Sequence, residues 1–236
     1  MHRLTLTTLL AGCAALAAPV GAATRSFIVT DFDNVRMEAP IEATVTSGSG
    51  VSARGEGDAD MLERVDMSVS ARTLVIRLKP SMNEARRSRN SDTARLFITV
   101  PVVRRVQLSG PGSLKVTGLD KLNAEVLASG SGALAINGIA TDNLGVVQTG
   151  SGAMQLSGRA KKLDVHLTGS GSFAAGGLAS DDLSLTLEGS GAAEATADRG
   201  ATIVARGSGS VEVRGKGACS VNSSGSGSVN CGAKRL

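Results

Sequence analysis

A Gly-x-Gly step recurs seven times in the second half of the sequence, beginning at Gly110, Gly130, Gly150, Gly169, Gly189, Gly207 and Gly225. The spacings are 20, 20, 19, 20, 18 and 18 residues. A near-constant period of this length marks a stack of like units rather than one irregular core. Between the steps the residues alternate. After each step an apolar pair falls in register: Leu114/Val116, Leu134/Ile136, Met154/Leu156, Phe173/Ala175, Ala193/Ala195, Val211/Val213 and Val229/Cys231. A second series precedes the next step, as in Leu163/Val165/Leu167, Leu183/Leu185/Leu187 and the weaker Ala201/Ile203/Ala205. Successive side chains point to opposite faces of a strand, so each series marks one inward face and each unit holds two strands.

One such coil cannot bury its own inward face, whereas stacked coils share a continuous interior. The expected fold is therefore all-β: a parallel β-solenoid of about seven coils of 18–20 residues, preceded by irregular N-terminal strands. The glycines read as corners, where the chain reverses with φ > 0 and stacked neighbours leave no room for a Cβ. The serines between them (Ser131, Ser151, Ser170, Ser190, Ser208, Ser226) then form a hydroxyl ladder on one edge. A flexible Gly/Ser linker does not fit the periodic apolar strands.

Three segments follow from this. Residues 1–23 read as a secretory signal peptide: His2 and Arg3, an apolar run from Leu4 to Val20, then small residues up to a cleavage point after Ala22 or Ala23. Leu10-Ala11-Gly12-Cys13 also resembles a bacterial lipobox, which leaves a lipid anchor at Cys13 as the alternative to ordinary cleavage. Residues 24–106 read as an N-terminal β region packed on or continuous with the solenoid. Pro40 bends its first strand pair, and Ser47-Gly-Ser-Gly50 reads as an early echo of the later steps. One short helix is expected from Asp58 as N-cap, with Met61, Leu62 and Val65 on one face. Residues 107–236 form the solenoid proper. No second apolar run reaches the length of a membrane-spanning helix.

Cysteine and charge narrow the chemistry. With Cys13 in the leader or an anchor, Cys219 and Cys231 remain, an even number suited to a disulfide in an oxidising compartment. Both take inward slots in the last half-coils. The formal charge is +4, unevenly spread. Between Arg77 and Arg105 stand eight Lys/Arg against Glu84 and Asp92. Arg86, Arg87, Arg89 and Arg95 lie in or beside a polar segment with no apolar periodicity, a candidate contact loop for acidic polymers or lipid head groups. Nucleic acid is not an expected partner, since interleaved aromatics are missing. The sequence has four Phe and no Trp or Tyr, which also speaks against a sugar-stacking cleft.

Catalytic, cofactor-binding and metal residues are not assigned. His166 lies between inward Val165 and Leu167 and so points to solvent. Gly-x-Gly cradles phosphate when a helix follows, and here none does. The enzyme alternative is a polysaccharide-active β-helix, for which Asp164 with Ser184, or Asp181 with Asp182, are the nearest carboxylate candidates.

Ile98-Thr-Val-Pro, then Val106-Gln-Leu-Ser-Gly-Pro-Gly, then serial Ser-Gly-Ser-Gly-x-Leu-x-Ile-x-Gly as at Ser129–Gly138 resemble the head-GIN-domain proteins (putative auto-transporter adhesin heads), a bacterial envelope family. The stretch Phe27–Val45 resembles the start of that family. The resemblance implies a right-handed β-helix-like fold behind a signal peptide or lipid anchor, and it carries over no catalytic residue. The expected function is that of an exported cell-envelope protein, periplasmic or at the surface, acting as a non-catalytic binding, adhesion or scaffold module. Its partner is an unidentified envelope component or a second copy, because an open β end invites self-association, with Lys234 and Arg235 opposing it.

Overall fold

The computed structural model describes residues 23–80 and 93–232. Cys13 with the rest of residues 1–22, Arg86, Arg87 and Arg89, and Lys234 and Arg235 lie outside the described residues. The described strands join in one hydrogen-bonded sheet that winds into a solenoid. In chain order they are β1 (Ala23–Phe27), β2 (Asn34–Met37), β3 (Glu42–Ser47), β4 (Ser52–Gly57), helix α1 (Ala59–Arg64), β5 (Val65–Ser70), β6 (Thr73–Leu78), β7 (Ala94–Val100), β8 (Arg105–Ser109) and β9 (Ser113–Asp120). Then follow β10 (Asn123–Gly130), β11 (Ala133–Gly150), β12 (Ala153–Gly169), β13 (Ser172–Gly189), β14 (Ala192–Gly207), β15 (Ser210–Arg214), β16 (Ala218–Ser224) and β17 (Ser228–Cys231).

Each coil is an arm before the glycine step, a tight corner, and an arm after it. The two arms build two parallel ladders. The pre-corner ladder runs β6–β2–β8–β10 and on through the second halves of β11 to β14 to β16. The post-corner ladder runs β7–β3–β9 and on through the first halves of β11 to β14 to β15 and β17. Strands β11 to β14 span both ladders because the bend opposite the glycine corner is gentle, with register shifts such as that between Ile136 and Ile139. The interior is the sum of the inward columns. In the coil from Met154 to Leu167, Met154, Leu156, Ala160, Leu163, Val165 and Leu167 are all buried, and the same slots are filled above and below.

At the corner, Gly150 has φ +114°, and a Cβ there would sit 2.5 Å from the carbonyl oxygen of Gly130 one coil below. A Cβ at Gly152 would meet the carbonyl of Gly132 at 2.5 Å. Only glycine fits both positions, the first for its backbone angle and both for the close approach of stacked main chains. That approach is bonded: Gly130 O accepts from Ser151 N at 3.1 Å and from Gly152 N at 3.0 Å, and Gly150 O accepts likewise from Ser170 N and Gly171 N.

The N-terminal region joins the same stack out of sequence order. The coil formed by β2 and β3 lies between the coil of β6 and β7 and the coil of β8 and β9. Its corner is Glu38-Ala39-Pro40, and a Cβ on Gly112 would come within 2.3 Å of Ala39 O. The Ser47–Gly50 stretch, expected to echo the glycine steps, is instead the turn by which the chain leaves the stack. Gly48 N bonds Val100 O, and Ser47 Oγ donates to Gly118 O. The outermost coil is then covered by antiparallel additions, β5 on β6, β4 on β7 and β1 on β4. Helix α1 rests beside them with Asp58 Oδ1 accepting from Met61 N at 3.0 Å, while Met61, Leu62 and Val65 are buried. The β5–β6 hairpin turns through Ala71 (φ 47°) and Arg72 (φ 59°), the twist that two-residue hairpins require.

Candidate functional site

With the interior filled by aliphatic columns, chemistry is left to the outward positions, and the ladder register fixes which of these become neighbours. On the post-corner face the first outward column is Ser113, Ala133, Ala153, Ser172, Ala192, Ser210 and Ser228. The next is Lys115, Ala135, Gln155, Ala174, Glu194, Glu212 and Asn230. Between Ala133 and Ser172 these two columns hold alanine, serine and one glutamine, so this part of the face is flat and uncharged.

The pre-corner face is more varied. Its central column runs Val75, Arg36, Gln107, Leu127, Val147, His166, Thr186, Val204 and Asn222. His166 is exposed on it. Asp164 and Ser184 stand side by side in the adjoining column. Inter-coil ion pairs flank both faces: Lys161 with Asp142 at 2.7 Å, Arg206 with Glu188 at 2.9 Å and Arg214 with Glu194 at 2.7 Å.

Asp181 and Asp182, the carboxylate pair considered for sugar chemistry, are each engaged by an arginine of a neighbouring coil. Arg159 Nη2 donates to Asp181 at 2.9 Å and Arg199 Nη2 donates to Asp182. Among the described residues no group of three or more His, Cys, Asp or Glu is arranged to hold a metal ion.

The described arginines of the basic stretch also face carboxylates. Arg77 and Arg36 converge on Glu38 at 2.7 and 2.6 Å, Arg95 donates to Glu42 at 3.0 Å, Arg104 lies 3.8 Å from Asp33 and Arg105 pairs with Glu125. The hydrogen bond from Arg77 is the main cause that holds the Glu38 carboxyl below the ordinary carboxylate range; partial burial acts in the opposite direction, and the charge of Arg36 adds to the lowering. Arg95 and Glu42 line a surface pocket of about 290 Å³ with Pro40, Ile41, Ala94 and Pro111.

The corner glycines sit beneath the exposed serine ladder, where Ser226 Oγ donates to Ser208 Oγ at 3.2 Å. Cys219 and Cys231 are bonded, with Cα atoms 6.5 Å apart, joining the last two strands across the terminal coil. One inward residue escaped the sequence pattern. Gln148 occupies the column of Leu167 and Leu187 and is 4% exposed. Its Nε2 donates to Gly152 O at 2.7 Å, while its Oε1 has no hydrogen-bond partner.

A family model described as "Putative auto-transporter adhesin, head GIN domain" matches residues 31–217. Among solved structures, a putative adhesin from Bacteroides fragilis superposes with a TM-score of 0.81 at 21% identity, over 90% of this chain and 97% of the other. A putative lipid binding protein from Parabacteroides distasonis gives 0.66 at 18% identity, and a putative adhesin from Parabacteroides merdae 0.65 at 19%, each over 90% of this chain and 97% of its own. At these identities the likeness is one of fold. No curated protein matches the sequence.

Proposed function

This chain belongs to the family of putative auto-transporter adhesins with a head GIN domain, and from that premise we propose that it is a non-catalytic binding module of the bacterial cell envelope. The contact surface in this reading is the flat post-corner face around Ala133, Ala135, Ala153, Gln155, Ser172 and Ala174. One observation carries it: the register lines up uncharged, mostly small side chains across adjacent coils, while the pre-corner face carries Asp164 and the bend opposite the glycine corner carries Asp142, Lys161, Arg159 and Asp181. Depletion of charge is the compositional mark of an interface core. The ion-paired state of Asp181 and Asp182 favours binding over glycoside hydrolysis, which needs one free carboxyl acid and one free carboxylate.

Export is part of the proposal. It is supported by the leader-like residues 1–23 and by a disulfide-bonded pair, which persists in oxidising compartments. Intact mass of the N-terminus in cells separates ordinary cleavage from lipidation at Cys13. The loop Arg86–Arg95 is proposed as a secondary, salt-sensitive contact.

The deciding experiment measures capture of envelope material by the purified protein and by the double variant Ala153→Arg/Ala174→Arg. The expected result is a loss of roughly tenfold or more in binding with unchanged melting, while Asp164→Arg on the pre-corner face binds as the parent does. Undiminished capture by the post-corner variant overturns the assignment of the face.

A further inference from the structure

The post-corner face carries an order of charge along the stack that follows from the register. Its second outward column runs, one residue per coil, from Lys115 through Ala135, Gln155 and Ala174 to Glu194 and Glu212. Lys115 thus stands two coils before Gln155 and Glu194 two coils after it, with one alanine between on either side. Lys115 is exposed. Glu194 and Glu212 share Arg214 at 2.7 and 3.0 Å, so those three groups sum to one negative charge against the one positive charge of Lys115. The first outward column repeats the symmetry in size: Ala153 at the centre, Ala133 and Ser172 one coil away, Ser113 and Ala192 two coils away. The face is therefore flat about the Ala153–Gln155 coil and opposite in sign at equal distances from it.

We propose that this face is a dimerisation surface on which two copies of the chain lie face to face, related by a two-fold axis running along the Ala153–Gln155 strand between them. The inference rests on the reading of the post-corner face as the contact surface and names its partner. A half-turn about that axis keeps the strand direction and reverses the order of the coils, giving an isologous contact. Lys115 of one copy then comes opposite Glu194 of the other, Ala135 opposite Ala174, and Gln155 opposite Gln155, where each amide offers the other a donor and an acceptor. Small side chains in the middle let the sheets approach closely, and the paired charges at either end fix the coil register.

Charge selects this occupant. A second copy whose coils run in the same order sets Lys115 against Lys115 and Glu194 against Glu194, which repel. A polyanion or polycation is attracted at one end of the face and repelled at the other. Relief agrees with charge: Phe97, four coils before Gln155 and covered by Arg54 at 5.4 Å, comes opposite the smaller Asn230, four coils after it. Seven coils at about 4.8 Å, each with about five residues at about 3.3 Å, cover roughly 550 Å² per copy. The total of roughly 1,100 Å² clears the size expected of a specific contact.

Sedimentation of the purified protein over a concentration series is expected to show a monomer–dimer equilibrium. Lys115→Glu and Glu194→Lys should each weaken the dimer about tenfold or more. An equal mixture of the two variants should restore it, because both cross-copy contacts of the mixed dimer are again of opposite sign, and restoration also shows that both variants fold. Ala153→Arg/Ala174→Arg should abolish the dimer, and Asp164→Arg should keep it. A protein that stays monomeric throughout, single variants that dimerise as the parent does, or a mixture no tighter than either variant alone overturns the proposal. The reading beneath it fails by a separate measurement: envelope capture that survives Ala153→Arg/Ala174→Arg removes the face as the envelope contact, whereas a monomeric protein whose capture is lost in that variant removes only the dimer.

Discussion

The two ends of the solenoid solve the same geometric problem with different means. At the N-terminal end the coil of β2 and β3 bends through Glu38-Ala39-Pro40 and carries buried side chains up to its corner, and the outermost coil is closed by antiparallel strands and a helix. Towards the C-terminal end every corner is Gly-x-Gly, each stacked directly on the one before, and nothing in the described residues covers the last coil. The second glycine of each step is pressed against the main chain of the coil before it in both regimes, as Gly112 is against Ala39 O, whereas the first is crowded only where one glycine corner lies directly on another. Gly110, whose Cβ would find its nearest atom, Glu38 O, at 4.0 Å, shows the boundary between the two regimes.

The largest effect that tests this contrast belongs to Gly169→Val. Its Cβ would stand 2.5 Å from Gly150 O at φ +121°, so both backbone strain and a main-chain clash apply. A loss of more than about 4 kcal/mol in denaturant unfolding is expected, enough to detach the later coils.

Next comes removal of the terminal bond by Cys219→Ala with Cys231→Ala. The chain-entropy estimate for a loop with sequence separation 12 is about 3 kcal/mol. Hydrogen exchange should place the loss in β16 and β17 and leave β2 and β3 unchanged.

Gly110→Ala sharpens the boundary itself. It adds strain at φ +96° without a clash, so about 1–2 kcal/mol is expected, well below Gly169→Val. Equal costs for the two substitutions would remove the distinction between the ends.

The smallest effect concerns the ion pairs that tie the N-terminal coils together. Glu38 has a lowered carboxyl pKa in the folded state, so its contribution is fully present above the unfolded carboxylate value and is lost as pH falls through the lower folded one. Glu38→Gln should therefore cost under about 1 kcal/mol near neutral pH, and the difference should fade on acidification below the carboxylate range.

The sequence made the regular array legible because two periodicities coincide there: glycine steps every 18–20 residues and apolar residues every second position. Even the placement of Asp164 beside Ser184 follows from them. The interleaving of β2 and β3 between two later coils was not legible, since β2 pairs with both β6 and β8 across long sequence gaps and its corner lacks the glycine mark. Ser47–Gly50 had that composition without the stacking. Gln148 was missed because a polar residue at an inward slot breaks the apolar pattern by which inward slots are recognised. The uncharged face was overlooked for a different reason: its columns keep the glycine-step register, ahead of the shifts between Gln155 and Ser157 and between Ala175 and Ala179, but alanine and serine at outward positions carry no chemical mark that singles them out.

The interleaved coil also sets an order of assembly. A chain delivered from its N-terminus releases β2 and β3 first, yet both neighbours of that coil come later, β6 with β7 on one side and β8 with β9 on the other. Until residue 117 has emerged, the last that pairs with β3, the first coil waits with at least one edge unpaired. The later coils each need only their immediate predecessor. Completion of the N-terminal sandwich is thus the slow, non-local step, and growth of the array after it resembles templated addition, one coil at a time, onto a finished seed.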